Sequence, residues 1–140
     1  MIYMLDTNIC IYTMKKHPPS VFENLKKLSP DVVGISAITE AELRFGMSNS
    51  ARPEHNHRVL DEFLGPFEIF PFDSAAAAHY GEIRSHLRRN GAPIGNMDLL
   101  IAAHARSLSV TLVTNNVKEF ERVPDLKLEN WLSRWKYNRV

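Results

Sequence analysis

With Cys10 as its only cysteine, the chain can form no internal disulfide, and a buried thiol in a reducing compartment is the expectation. No apolar run is long enough to cross a bilayer, and the N-terminus has neither the basic start nor the cleavage pattern of an export signal. These absences read as a complete cytoplasmic protein with no membrane partner. Charge of one sign is scarce in bulk as well, with 17 lysines and arginines against 16 aspartates and glutamates. A site for a polyanion must therefore come from local clustering. Internal repeats and low-complexity stretches are missing. So is a glycine-rich turn after the first apolar run, which excludes a dinucleotide-binding fingerprint. At 140 residues the chain suits a single domain, 1–140, burying about 70% of its unfolded surface.

What is present is alternation. Residues 1–5 are apolar on both faces, as a central parallel strand covered on each side should be, and the run stops at Asp6-Thr7-Asn8. Further strand candidates lie at 32–35, 67–72, 110–113 and 126–128, with Pro71 marking an edge. Helix-like stretches at 9–16, 20–28, 37–46, 54–64, 73–90, 97–108 and 117–122 separate them, and 131–140 reads as a basic, aromatic tail. This order predicts an α/β fold, a three-layer doubly wound sheet.

Polar residues close the apolar runs, and ligands of such sheets bind beyond the carboxyl ends of the strands. Asp6 is either the N-cap of the helix that follows or the first ligand of a site. Ser36 closes the second run in the same way. Glu42 falls with Ile38, Ala41 and Phe45 on one helical face, where a carboxylate must be paired, reach out to solvent or bind a cation. Asp98 shares a face with Ile101, Ala102 and Ala105 in a helix that is apolar nearly all round, with Asn96 as its expected N-cap; it either favours the helix dipole or serves as a ligand. His104 reads as a packed imidazole or a ligand. Asn116 follows the fourth strand. Asp6, Ser36 with Glu42, Asp98 and Asn116 can therefore meet in one crevice. Three carboxylates there raise one another's pKa unless a cation compensates. An all-oxygen set suits Mg²⁺ or Mn²⁺ over zinc, and such a site suits phosphodiester hydrolysis.

Four blocks now carry a resemblance that spans essentially the whole chain. Tyr-Met-Leu-Asp6-Thr7-Asn8, Ile-Ser36-Ala-Ile-Thr-Glu-Ala-Glu42-Leu-Arg-Phe-Gly46, Ile-Gly95-Asn-Met-Asp98-Leu-Leu-Ile-Ala-Ala-His-Ala and Leu-Val-Thr114-Asn115-Asn116-Val-Lys-Glu-Phe resemble the VapC toxins of the PIN-domain family. The resemblance implies a parallel five-stranded sheet in the order 3-2-1-4-5. It also implies a Mg²⁺- or Mn²⁺-dependent endoribonuclease, a homodimer, and inhibition by a VapB-type antitoxin. The RNA implied is tRNA, more narrowly the anticodon stem-loop of initiator tRNA. Asp6 and Asp98 would be direct metal ligands, and Glu42 a direct or water-mediated ligand and candidate base. Asn116 would be a positioner, with Thr7, Asn8, Thr114 and Asn115 in support. One departure stands out: the family's fourth acid, after the fourth strand, corresponds here to Asn115 or Asn116. A single tightly bound ion is then the expectation.

Two rivals are weighed against this reading. A haloacid-dehalogenase-type phosphohydrolase would need a second aspartate at the position of Asn8. A catalytically silent PIN module that binds antitoxin or RNA is suggested by the missing fourth acid. The run His55-Asn56-His57 reads as a solvated helix start and not as a nuclease motif. Arg84, Arg88, Arg89, Arg134, Lys136 and Arg139 are candidate RNA-backbone contacts by charge alone, with a solvated face as the equal alternative.

Overall fold

A computed structural model describes residues 1–132, so Arg134, Lys136 and Arg139 lie outside the described residues. Five parallel strands form one sheet in the order β3-β2-β1-β4-β5, as the resemblance implied. They are β1 (Tyr3–Leu5), β2 (Val33–Ser36), β3 (Glu68–Phe70), β4 (Thr111–Val113) and β5 (Lys127–Glu129). The helices are α1 (Thr7–Lys15), α2 (Pro19–Lys26), α3 (Ala37–Ser48), α4 (Pro53–Leu64), α5 (Ser74–Arg89), α6 (Asn96–Ser107) and α7 (Val117–Phe120). Strands β1, β3 and β4 are shorter than the apolar runs that announce them, and β2 and β5 keep the length of theirs but start one residue later. Val32, for example, belongs to a 3-10 turn, and Phe72 lies beyond the end of β3.

Strand β1 occupies the centre because both its faces are apolar. Its registers place Met4 beside Gly34 of β2 and Leu112 of β4. Met4 and Leu112 pack in one cluster with Ile83, Leu87 and Ala102, while Leu5 and Val113 pack in the other with Ile9, Ile35 and Leu60. The period-2 alternation thus sends neighbouring residues of one strand into opposite layers. Gly34 admits no larger residue without rearrangement, since an added Cβ would meet the Met1 thioether and the Phe70 ring at 2.9 Å.

The order of strands also sets where a ligand can enter. The chain steps outward from β1 to β2 to β3, then crosses back to pair β4 with β1. A switch point of this kind opens a crevice at the strands' carboxyl ends. The residues that end the strands double as helix caps. Asp6, Ser36 and Asp73 accept from the amides of Ile9, Ile38 and Ala76 at 2.9, 3.0 and 3.0 Å. At α6 the expectation of an Asn96 cap gives way: Gly95 is the N-cap, without a side-chain bond, and Asn96 is already helical.

Two further expectations are corrected. On α3 the buried stripe is Thr39 and Leu43, while Ala41 is exposed and Phe45 is 71% exposed. Ser36 is fully buried and sets the helix phase, which turns the i, i+4 pair at 39 and 43 toward the sheet and leaves Glu42 at its margin. At the C-terminal end, Trp131 is not tail but core. It is 1% exposed, stacks edge-on against Tyr3 at 5.7 Å, and donates its indole N–H to Glu129 Oε1 at 2.9 Å. Trp131→Ala should lower stability by about 3–5 kcal/mol, the usual cost of deleting a buried indole, read as a lower urea midpoint at unchanged slope.

Candidate active site

Asp6 leaves β1 in extended geometry and is 6% exposed. Its carboxylate is held by the Ile9 amide and by a hydrogen bond with Thr114, which follows β4 and is fully buried. Burial raises its pKa to about 6, against the two hydrogen bonds that favour the charge, and Glu42 adds repulsion. Asp6 is therefore both things that its position allowed: a helix cap and a member of a carboxylate cluster.

Glu42 reaches the cluster from the margin of α3, where the Thr7 hydroxyl donates to its Oε1 at 2.5 Å. Asp98, in the first turn of α6, is half-buried. Its pKa rises to about 7: burial contributes most, followed by a hydrogen bond and repulsion from Glu119, then the charges of Asp6 and Glu42. Asp98 and Glu119 are hydrogen-bonded to each other. Burial pushes Glu119 up, but the hydrogen bonds from Asp98, Asn116 and the Gly95 amide, with the nearby Arg122 charge, outweigh it and hold Glu119 below its usual value.

Glu119 is the functional candidate that the sequence reading passed over. The fourth acid was sought at Asn115 or Asn116, the residues directly after β4. The structure brings a carboxylate from one turn later instead. Asn116 Nδ2 donates to Glu119 Oε2 at 3.0 Å, and the Gly95 amide donates to Oε1 at 3.4 Å. The Asn116 amide itself donates to Thr114 Oγ1 at 2.9 Å, tying α7 to the residue that steadies Asp6. The available signal was the spacing: Glu119 is i+3 from Asn116, which one helical turn places on the same face. Asn8 and Asn115 are exposed, and among the described residues neither makes a hydrogen bond with the cluster.

A second connection sits behind the carboxylates. Ser36 Oγ lies 2.7 Å from His104 Nδ1, and His104 is 1% exposed, with its ring edge-on to Phe72 at 5.5 Å. With its one N–H, at Nε2, donated to the Pro71 carbonyl, the neutral imidazole accepts from the Ser36 hydroxyl at Nδ1. Burial lowers the His104 pKa, which favours this neutral form. His104 is thus a packed imidazole, not a ligand, and it joins the helix of Asp98 to the cap of the helix of Glu42. Elsewhere, His57 bonds Ser48 across the α3–α4 hairpin at 2.9 Å, away from the cluster. Arg84, Arg88 and Arg89 are exposed along α5.

Among the described residues no three His, Cys, Asp or Glu side chains already form a cage for a metal ion. The donor set nevertheless fits a hard divalent cation: it is all oxygen, and two of its acids have pKa values raised by burial and, to a smaller extent, by repulsion, both of which a cation would offset.

Fold and site together define an α/β protein with an acidic crevice at the switch point of a parallel sheet. The chain matches the PIN domain family over residues 3–126. It is 52% identical over 132 residues to ribonuclease VapC2 of Rickettsia felis, covering 94% of this chain and 98% of that one. It is 46% identical over 129 residues to the tRNA(fMet)-specific endonuclease VapC of Shigella flexneri, covering 92% and 97%. The crystal structure of VapBC2 from Rickettsia felis bound to a promoter DNA fragment superposes with a TM-score of 0.88 at 51% identity, covering 94% and 99%. The chain belongs to the PIN-domain family, in its VapC ribonuclease branch.

The raised Asp98 pKa has a consequence for stability. A carboxyl whose folded pKa is raised from 3.8 to about 7 contributes stability that is fully present below its unfolded pKa and lost as pH rises through the folded one. In EDTA, Asp98→Asn should therefore be more stable than wild type at about pH 8, with the advantage shrinking toward about pH 5, read by thermal unfolding.

Proposed function

We propose that this chain is an endoribonuclease that uses Mg²⁺, with Mn²⁺ able to substitute, to hydrolyse phosphodiester bonds in RNA, and that it is the toxin of a VapB–VapC pair acting in the cytoplasm. The observation that carries the reading is that Asp6, Glu42 and Asp98, from separate elements, lie near enough to repel one another, with Glu119 hydrogen-bonded to Asp98. Nothing in the packing calls for four acids there, and their repulsion costs stability. The names of the Rickettsia and Shigella relatives support the nuclease reading, and the Shigella name supports tRNA as substrate, with the initiator anticodon stem-loop as its narrower form. The VapBC complex supports a VapB-type antitoxin as partner. A homodimeric toxin is part of the same proposal.

A bound divalent ion supplies charge neutralisation at the scissile phosphate and acidifies an attacking water. Asp6 and Asp98 would hold it, being the two carboxyls whose pKa burial raises most and whose charge a cation would compensate. Glu42, oriented by the Thr7 hydroxyl, stands at the open side as the group able to take a proton from water. Glu119 completes the charge of the set, and Asn116 positions Glu119. Thr114 holds Asp6 through a hydrogen bond and so keeps its ligand geometry. The silent-module reading drew on a missing fourth acid, and Glu119 removes that motive.

Purified, antitoxin-free protein should cut total tRNA into discrete fragments with Mg²⁺ and not with EDTA. Asp6→Ala and Asp98→Asn should reduce cutting below detection while keeping the wild-type circular dichroism. Folded wild type that leaves tRNA intact in both Mg²⁺ and Mn²⁺, or that cuts equally well in EDTA, would overturn the reading.

A further inference from the structure

A pocket of about 400 Å³ opens beside the carboxylates, between the second half of α5 and the start of α6. Its floor is apolar, made by Leu87, Ile94 and Leu99, and Leu99 directly follows Asp98 in the chain. Its rim is polar and positive: Arg84, Arg88 and the Asn96 amide, with no carboxylate in the lining. Arg84 is held in place, donating to the Tyr80 hydroxyl at 2.7 Å with its guanidinium 5.9 Å from the Tyr80 ring centre. Among the described residues, neither Arg84 nor Arg88 is in an ion pair. The loop edge that carries Pro93 is tied down from the other side by Arg122, which donates to the Pro93 carbonyl at 3.1 Å.

An apolar slot rimmed by guanidinium groups and one amide matches an unstacked nucleobase and its phosphate. The ring lies against apolar side chains or a guanidinium plane, the base edge meets an amide, and the phosphate meets the free charge. A free apolar ligand would leave the two arginines without purpose, and an inorganic anion would leave the floor without one. Resting on the nuclease reading above, we propose that this pocket receives an extruded base of the RNA strand whose scissile phosphate lies at the carboxylate cluster. The pocket then selects unpaired loop nucleotides, because a base inside a duplex cannot enter it. It also places positive charge next to an acidic crevice that would by itself repel a polyanion.

The test reads binding without cleavage. In EDTA, wild-type protein is titrated into a hairpin RNA carrying 2-aminopurine at each loop position in turn, and into a duplex RNA of matching length. One loop position should change fluorescence saturably. Ile94→Trp, which fills the slot, should abolish that change and weaken hairpin binding about tenfold, within the range of lost base stacking, while duplex binding stays near wild type. Arg88→Ala, at an exposed position, should weaken hairpin binding about threefold or more without altering the fold, and covers the case of an unstable Ile94→Trp. Hairpin binding and fluorescence unchanged in both variants would overturn the proposal. So would an Ile94→Trp protein whose only change is its mass in solution, which would make the pocket an interface between copies. Fluorescence lost in the variants while metal-dependent cleavage fails in wild type would reject the nuclease reading alone. Cleavage intact with no fluorescence response in wild type would reject the pocket alone.

Discussion

The structure depends on a buried carboxylate at the end of its central strand. Asp6 is held by one backbone amide and one hydroxyl; the charge of Glu42 disfavours its ionisation, and its own charge disfavours that of Asp98. Burying such a group is costly unless its hydrogen bonds and a counter-charge compensate. The surrounding fold supplies the hydrogen bonds: Thr114 for Asp6, Thr7 for Glu42, Asn116 and Gly95 for Glu119. Among the described residues its counter-charge is Arg122 beside Glu119, and no cation lowers the pKa of Asp6 or Asp98. The pKa values of Asp6 and Asp98 are raised in consequence, and a divalent cation would lower them.

Economy of parts follows from the parallel sheet. Each strand must hand over to a helix at the same edge, and the polar residue that caps the helix is already at the crevice. Asp6 serves both ends, as cap of α1 and as cluster member. Ser36 caps α3 and also bonds His104, so the phase of the helix bearing Glu42 is coupled to that of the helix bearing Asp98. The geometry of the site is thus set by the same bonds that terminate the strands. A change in one of them lowers stability and alters site geometry together.

Much of this was legible in the chain itself, because it rests on local signals. An unbroken apolar run that ends in Asp6, a Ser36 cap, and an apolar helix opening with Asp98 each follow from periodicity and capping, and they place three acids at one edge. What failed depended on tertiary context. The face chosen for α3 assumed that Phe45 is buried, yet Thr39 and Leu43 face the sheet and Phe45 faces solvent. Trp131 sat among polar residues in a presumed tail, and only its packing on Tyr3 brings it into the core. Glu119 lies on a helix of one turn, too short to show a face, and its place beside Asp98 is decided by how α7 leaves β4. The short strands went the same way, since pairing and not hydrophobicity sets where a ladder stops.

The central claim is that Asp6, Glu42, Asp98 and Glu119 form one cation site, with Glu119 and not an asparagine as its fourth acid. Counting Mn²⁺ bound at neutral pH by electron paramagnetic resonance tests it most directly, comparing wild type with Glu119→Gln and Asn115→Ala. The account predicts one ion per chain, bound about tenfold more weakly after Glu119→Gln and unchanged after Asn115→Ala. Wild type that binds no Mn²⁺, or a Glu119→Gln protein that binds it as tightly as wild type, would contradict it.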